Sequence, residues 1–172
     1  MAQVVTIDAG TTGVRALAVD EAGLVTAVAY RELTQHFPKP GWVEHDATEI
    51  WKLVVEVLGE LAASTPGVPV AAIGITNQRE TAVTWNRESG APLHRAIVWQ
   101  DRRTTATCEA LEAAGNLPMV RETTGLVLDP YFTASKLGWL AAEGVDLSSA
   151  SSAAGTVDSW VLWNLTGGPA GG

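Results

Sequence analysis

The chain has 172 residues, with 11 basic against 19 acidic side chains and a formal net charge of −8. That length suits one domain with a sizeable core, and 47% hydrophobic with 17% charged residues is the composition of a folded globular protein and not of a disordered one. The acidic balance excludes the basic face of a nucleic-acid binder, and the lone Cys108 excludes a disulfide framework or a multi-cysteine metal site. No run approaches the roughly 20 apolar residues of a membrane span. The opening Met1-Ala2-Gln3-Val4-Val5 has neither the basic region nor the apolar stretch of a secretory signal, so the sequence reads as cytoplasmic.

In chain order, three short strands come first: Val4 to Ile7, Val14 to Val19 and Leu24 to Leu33, joined by short turns and therefore expected as an antiparallel meander. His36 to Asp46, with Pro38, Pro40 and Gly41, reads as an irregular loop. Asp46-Ala47-Thr48-Glu49 is a D-x-x-E capping box, expected to open a helix with Ile50, Trp51, Val54, Val55, Leu58, Leu61 and Ala62 on its apolar face. Pro66-Gly67 ends that helix, and the apolar run Val70 to Thr76 reads as a central strand covered on both faces.

Thr81 to Trp85 and Ala96 to Trp99 read as strands flanking the polar turn Asn86 to Gly90. Asp101 is expected to cap a helix running through Cys108 to Ala114, and a second helix is expected to start at Pro130, burying Leu137, Trp139 and Leu140. Ser148 to Gly155 is a loop or weak helix, Val157 to Leu165 carries Trp160, Val161 and Leu165 on one helical face, and the glycine-rich end is not expected to pack as a regular element. The order, a hairpin first and helices interleaved with strands later, is that of an α/β fold with a mixed sheet.

Three segments carry polar chemistry. Asp8-Ala9-Gly10-Thr11-Thr12-Gly13-Val14-Arg15 is either a polar hairpin loop or a phosphate cradle. In the second reading two glycines allow positive φ and close approach, hydroxyls and N–H groups surround phosphate oxygens, Arg15 neutralises charge and Asp8 holds Mg²⁺. Asn77-Gln78-Arg79-Glu80 follows the apolar strand, where α/β sheets place ligands; it is either a solvated loop or a site for a polyol, whose hydroxyls need both donors and acceptors. Trp99 and Asp129-Pro130-Tyr131-Phe132 are either core packing or an aromatic cover for the carbons of a small polyol. His36, His45 and His94 lack metal-site spacing and read as solvated loop residues; Cys108 reads as an inert helical thiol. Trp51, Trp139 and Trp160 read as core.

At these residues the sequence resembles the N-terminal part of the glycerol kinases of the FGGY family. The matching segments include Ile7-Asp8-Ala9-Gly10-Thr11-Thr12, Pro38 to Asp46, Gly74 to Thr81 with its N-Q-R-E, Ala96 to Arg103, Thr124 to Phe132 with its D-P-Y-F, and Gly155 to Trp160. D-x-G-T alone is shared with the wider actin-like ATPases; N-Q-R-E and D-P-Y-F together point to glycerol kinases. The resemblance implies a ribonuclease-H-like, actin/hexokinase-type fold, of which residues 1–172 form the first half with the C-terminal half absent. It implies transfer of a phosphoryl group from ATP, with Mg²⁺, to glycerol. By motif, Thr11, Thr12, Gly13 and Arg15 correspond to nucleotide contacts, Asp8 to the metal-associated carboxylate, and Arg79, Glu80, Trp99 and Tyr131 to glycerol contacts. Gly13 stands where many relatives have Ser. The resemblance puts the catalytic base beyond Gly172 and gives that role to neither Asp101 nor Glu80, so the chain alone is expected to be inactive. It also implies a cytoplasmic parent, and apolar surface on the side that should face the missing half favours a homo-oligomer. Kept open beside it are a kinase for another sugar of the same family and a non-catalytic polyol-binding or assembly module.

Overall fold

The computed structural model describes residues 2–171; Met1 and Gly172, the ends of the expected domain, lie outside the described residues. The meander forms as expected: β1 (Gln3–Ala9), β2 (Gly13–Val19) and β3 (Val25–Glu32) are antiparallel neighbours. After helix α1 (Ala47–Ser64) the chain returns as β5 (Val70–Asn77), which pairs with β1 in parallel to give a mixed sheet of order β3-β2-β1-β5. Two small antiparallel ribbons sit beside it. One joins β4 (Glu44–His45) to β7 (Ala96–Ile97), the other β6 (Val83–Asn86) to β8 (Ser152–Gly155). Helices α2 (Thr105–Ala113), α3 (Leu117–Thr124), α4 (Thr133–Ala142) and α5 (Val157–Leu165) complete the regular structure, with a short 3-10 turn at Gly168–Ala170.

Alternation along the strands decides where the core lies. Val5, Ile7 and Ala9 of β1 and Val14, Ala16 and Ala18 of β2 point to one face and are buried against Ile50, Val54, Val57 and Leu61 of α1. Each fully buried Ile or Val contributes about 1.5–3 kcal/mol over its exposed form. Leu53 and Val57, not Val55 and Ala62, complete the buried stripe, and Val55 is 50% exposed. Trp160 belongs to the same core and donates its indole N–H to the Ala47 carbonyl at 2.8 Å.

Several expectations are corrected. The apolar run at β5 is the sheet's edge and not a strand covered on both faces: Val70 is 49% and Ile73 48% exposed. Apolar composition reads as double cover, but α1 packs on β1, β2 and β3, and α5 packs on β5. Half of the capping box forms. Asp46 accepts from the Thr48 and Glu49 amides, whereas the Glu49 carboxylate turns to the Thr34 amide and hydroxyl. The loop at 36–46 contains β4, and the 148–155 segment contains β8, each recruited by a strand distant in sequence. Asp101 does not cap α2, which begins at Thr105; it is buried and binds Arg103 instead. Pro130 belongs to a turn closed by Asp129, whose carboxylate accepts from the Tyr131 amide, and α4 starts three residues later. Helix α3 has no counterpart in the sequence reading. Trp139 is half-buried and packs edge-on to Trp42 as well as against the Arg103 guanidinium, so it is a cation-binding surface as much as core. His45 is fully buried and not a solvated loop residue. The glycine-rich end does pack: its 3-10 turn seats the buried Gly168 against Trp163. No helix among the described residues is long and apolar enough to cross a membrane.

Candidate functional site

The β1–β2 turn is shaped by bonds that pull its carbonyls inward. The Gly10 amide donates to Gly13 O, the Thr12 carbonyl accepts from the Leu33 amide at 3.0 Å and from the Tyr30 hydroxyl at 3.3 Å, and the Gly10 carbonyl accepts from Gln78 Nε2 at 3.1 Å. Anion-binding turns are lined by backbone N–H groups, and carbonyls engaged elsewhere in the protein leave room for that arrangement. The glycines serve another purpose than the one expected, because neither Gly10 nor Gly13 has a positive φ. A Cβ at position 13 would lie 2.4 Å from the Tyr30 hydroxyl and from the Arg31 carbonyl, so Gly13 is required by the close approach of β3. Gly13 is itself buried, and Thr11, Thr12 and Arg15 are the more accessible members of the turn. Asp8, Arg15 and Tyr30 are cross-strand partners in one row, and the Arg15 guanidinium lies 5.7 Å from the Tyr30 ring centroid. That row is on the sheet face away from α1.

Beyond β5, Gln78 is the hinge of a buried polar network. A carbonyl only accepts, so the contact with Gly10 O fixes Gln78 Nε2 as the nitrogen; it then donates to His45 Nδ1 as well, at 3.0 Å. His45 is therefore neutral with its proton on Nε2, which has no partner among the described residues. Burial, aided by His36 and opposed by Glu49, pushes the His45 imidazole down to about 4. Gln78 Oε1 accepts from Thr81 Oγ1 at 2.9 Å, Thr81 Oγ1 accepts from the Trp99 amide at 3.2 Å, and the Trp99 indole N–H donates to Thr11 Oγ1 at 2.9 Å.

Glu80 has φ 66°, a left-handed conformation that costs a residue with a side chain about 1–2 kcal/mol. Thr133 at the start of α4 holds it there, donating amide and hydroxyl to Glu80 Oε2 at 2.9 and 2.8 Å. The carboxylate thereby caps α4, whose N-cap residue Phe132 has no side-chain bond to offer. One turn along, the fully buried Lys136 donates Nζ to the Tyr131 carbonyl at 2.5 Å. Burial pushes its ammonium down to about 8, against the pull of Glu80, Asp101, Asp129 and Cys108. Trp99 and Tyr131 meet edge to face with centroids 5.8 Å apart. Arg103 is held by Glu44 and Asp101, each at 2.8 Å, and its guanidinium packs against the rings of both Trp42 and Trp139.

Arg79 and Glu80 line a cleft of about 300 Å³ at the end of β5 with Asn77, Thr156 and Asp158. Trp99 and Tyr131 do not line that cleft; they connect to Glu80 through the Tyr131–Phe132–Thr133 segment. The structure thus joins Thr11 to Trp99 and Glu80 to Thr133, the residue that follows D-P-Y-F, while Arg79 is exposed on the cleft. Sequence reasoning missed Tyr30, Thr81, Thr133, Lys136, Thr156 and Asp158. Of these, Thr81, Thr156 and Asp158 lay in segments already marked by resemblance. Among the described residues no three His, Cys, Asp or Glu side chains converge on a metal-sized site. A Mg²⁺ ion at Asp8 fits this donor set if phosphate and water supply its other oxygens, as is usual for that ion.

With this geometry in place, comparison with known proteins is specific. Residues 3–170 match the N-terminal domain of the FGGY family of carbohydrate kinases. The chain is 50% identical over 165 residues to a glycerol kinase of Gloeobacter violaceus, covering 96% of this chain and 33% of that protein. It is 51% identical over 170 residues to one of Synechocystis, covering 96% and 34%. The fold superposes on the crystal structure of Plasmodium falciparum glycerol kinase with ADP at a TM-score of 0.89, with 32% identity over 98% of this chain and 35% of that one. A xylulose kinase from Rhodospirillum rubrum follows at 0.85, with 26% identity over 94% and 33%. The chain spans about a third of the length of the relatives it matches. The mixed sheet led by an antiparallel meander is thus that of actin/hexokinase-like kinases, and the chain belongs to the FGGY family of carbohydrate kinases.

Proposed function

We propose that this chain supplies the phosphate loop and most acceptor contacts of an ATP-dependent glycerol kinase that forms glycerol 3-phosphate. One observation carries the reading: the loop expected to bind phosphate and the segment expected to bind a polyol are bonded to each other, Thr11 to Trp99 at 2.9 Å and Gly10 to Gln78 at 3.1 Å. Phosphoryl transfer needs the attacking hydroxyl and the phosphate held in line at close quarters.

In this reading Thr11, Thr12, the Gly13 backbone and Arg15 receive the phosphates of ATP, and Asp8 holds Mg²⁺, which would neutralise charge on the phosphate oxygens. Arg79 and Glu80 bind the hydroxyls of glycerol, while Trp99 and Tyr131 cover its carbons. Glu80 has Oε2 committed to Thr133, so Oε1 is the oxygen that accepts from the substrate. No residue of the chain is assigned as base; residues 1–172 act as the N-terminal part of the kinase, and the base and adenosine contacts come from polypeptide corresponding to the other two thirds of the relatives. The setting is cytoplasmic, where ATP is available. The parent is a homo-oligomer, and light scattering at rising concentration should show association of this chain; a monomer throughout would contradict that.

The likeness to xylulose kinases favours a second reading, a pentose acceptor, against which stands the identity of about 50% to glycerol kinases. Joining the chain to the remaining two thirds of the Synechocystis relative tests both. Formation of glycerol 3-phosphate from ATP, with the separate chain inactive and Glu80→Ala inactive in the fusion, is the expected result. Preference for xylulose would support the second reading, and turnover by the chain alone would mean that it contains its own base.

A further inference from the structure

The hydrogen bonds around Gln78 close into a ring. It starts at the Gly10 carbonyl, runs through the Gln78 amide, the Thr81 hydroxyl and the Trp99 backbone and indole, and ends at the Thr11 hydroxyl, next to where it began. Thr81 and Gln78 are buried, so their links are shielded from water, whereas Trp99 and Thr11 are half-buried at the opening. The direction of each bond is set by chemistry. An indole N–H can only donate, so Thr11 Oγ1 must accept from it, and the Thr11 hydroxyl hydrogen is left to point elsewhere.

We infer that Trp99 is a positioning residue for Thr11 as well as a wall of the acceptor site, and that it couples the two: its N–H turns the Thr11 hydroxyl into an outward donor for a phosphate oxygen. The inference rests on the reading of Trp99 as an acceptor-site residue. A polyol packed on the Trp99 and Tyr131 rings restrains the indole, and the restrained indole fixes Thr11 before phosphate arrives. The second ligand then meets a loop whose ordering cost is already met, which is positive cooperativity without any change of fold. Reciprocity requires phosphate to tighten polyol binding by the same factor.

The test uses this chain with its indole nitrogens labelled, glycerol as acceptor, and magnesium tripolyphosphate as a phosphate chain without a nucleoside. Glycerol should shift the Trp99 indole resonance, assigned by its loss in Trp99→Phe, and tripolyphosphate should tighten glycerol about tenfold, within the usual range of such couplings. In Thr11→Val glycerol should still shift the resonance, but the tightening should fall below about twofold; Thr11→Ser should restore it. Trp99→Phe, followed through other resonances, should lose the coupling, and adding Thr11→Val should remove nothing more. Coupling that survives in Thr11→Val, or glycerol binding in the unaltered chain that tripolyphosphate leaves unchanged, would overturn the inference while sparing the acceptor site. Absence of any glycerol response, with or without tripolyphosphate, would instead remove the acceptor site itself and the inference with it.

Discussion

The two faces of the sheet differ in what covers them. One face packs Val5, Ile7, Val14 and Ala16 under α1, with Ile7, Val14 and Ala16 fully buried. The other carries Val4, Leu17 and Val28 at one end and Asp8, Arg15 and Tyr30 at the end next to the β1–β2 turn; Val4 is 41% and Val28 55% exposed. The alternation of β1 and β2 sends only apolar side chains (Val5, Ile7, Ala9, Val14, Ala16 and Ala18) to the face under α1, and places Thr6, Asp8 and Arg15 among the residues of the other. The covered face contributes stability, and the open face presents chemistry at the point where packing stops.

The largest effect that would sharpen this contrast is in the covered face. Ile50→Ala should cost about 2–5 kcal/mol of unfolding free energy in a denaturant titration, because its neighbours on β1 and β2 cannot collapse into the space. Val28→Ser on the open face should change stability by no more than about 0.5 kcal/mol. Equal costs would mean that the faces are not distinct in energy.

His45 gives the next effect. Its folded value, about 4, lies below the unfolded value of 6.5, so between them the unfolded chain takes up a proton that the folded chain refuses. The stability that neutral His45 contributes is complete above pH 6.5 and is lost as the pH falls toward 4, by up to about 3 kcal/mol. His45→Asn keeps an acceptor for Gln78 and should remove that part of the pH dependence; identical profiles for the two proteins would contradict the assignment.

The smallest test lies where strand and loop meet. Gly13→Ala forces the new methyl against the Tyr30 hydroxyl and the Arg31 carbonyl, and should cost about 1–3 kcal/mol by thermal unfolding. A neutral substitution would mean that β3 yields freely.

Legibility followed the range of the interactions. The meander, α1 with its Asp46 cap and the polar candidates at 8–15 and 77–80 depend on local pattern and were readable in the sequence. β4 and β8 were not, because each is a strand only through a partner far along the chain. β5 misled for the related reason that an apolar run reports composition and not its neighbours. At the site, Glu80 and Tyr131 came from motifs, but Thr133 and Lys136, which hold them, look in sequence like an ordinary helix start. Asp101 resembled a cap until the structure gave it Arg103 as a partner.

The most direct test of the account is calorimetric titration of the purified chain with glycerol, beside Glu80→Gln. Saturable binding by the unaltered chain and at least about tenfold weaker binding by the variant are expected, since a hydrogen bond to a charged group contributes about 1.5–3 kcal/mol. Saturable binding that Glu80→Gln leaves untouched, or no binding by the unaltered chain, would contradict it.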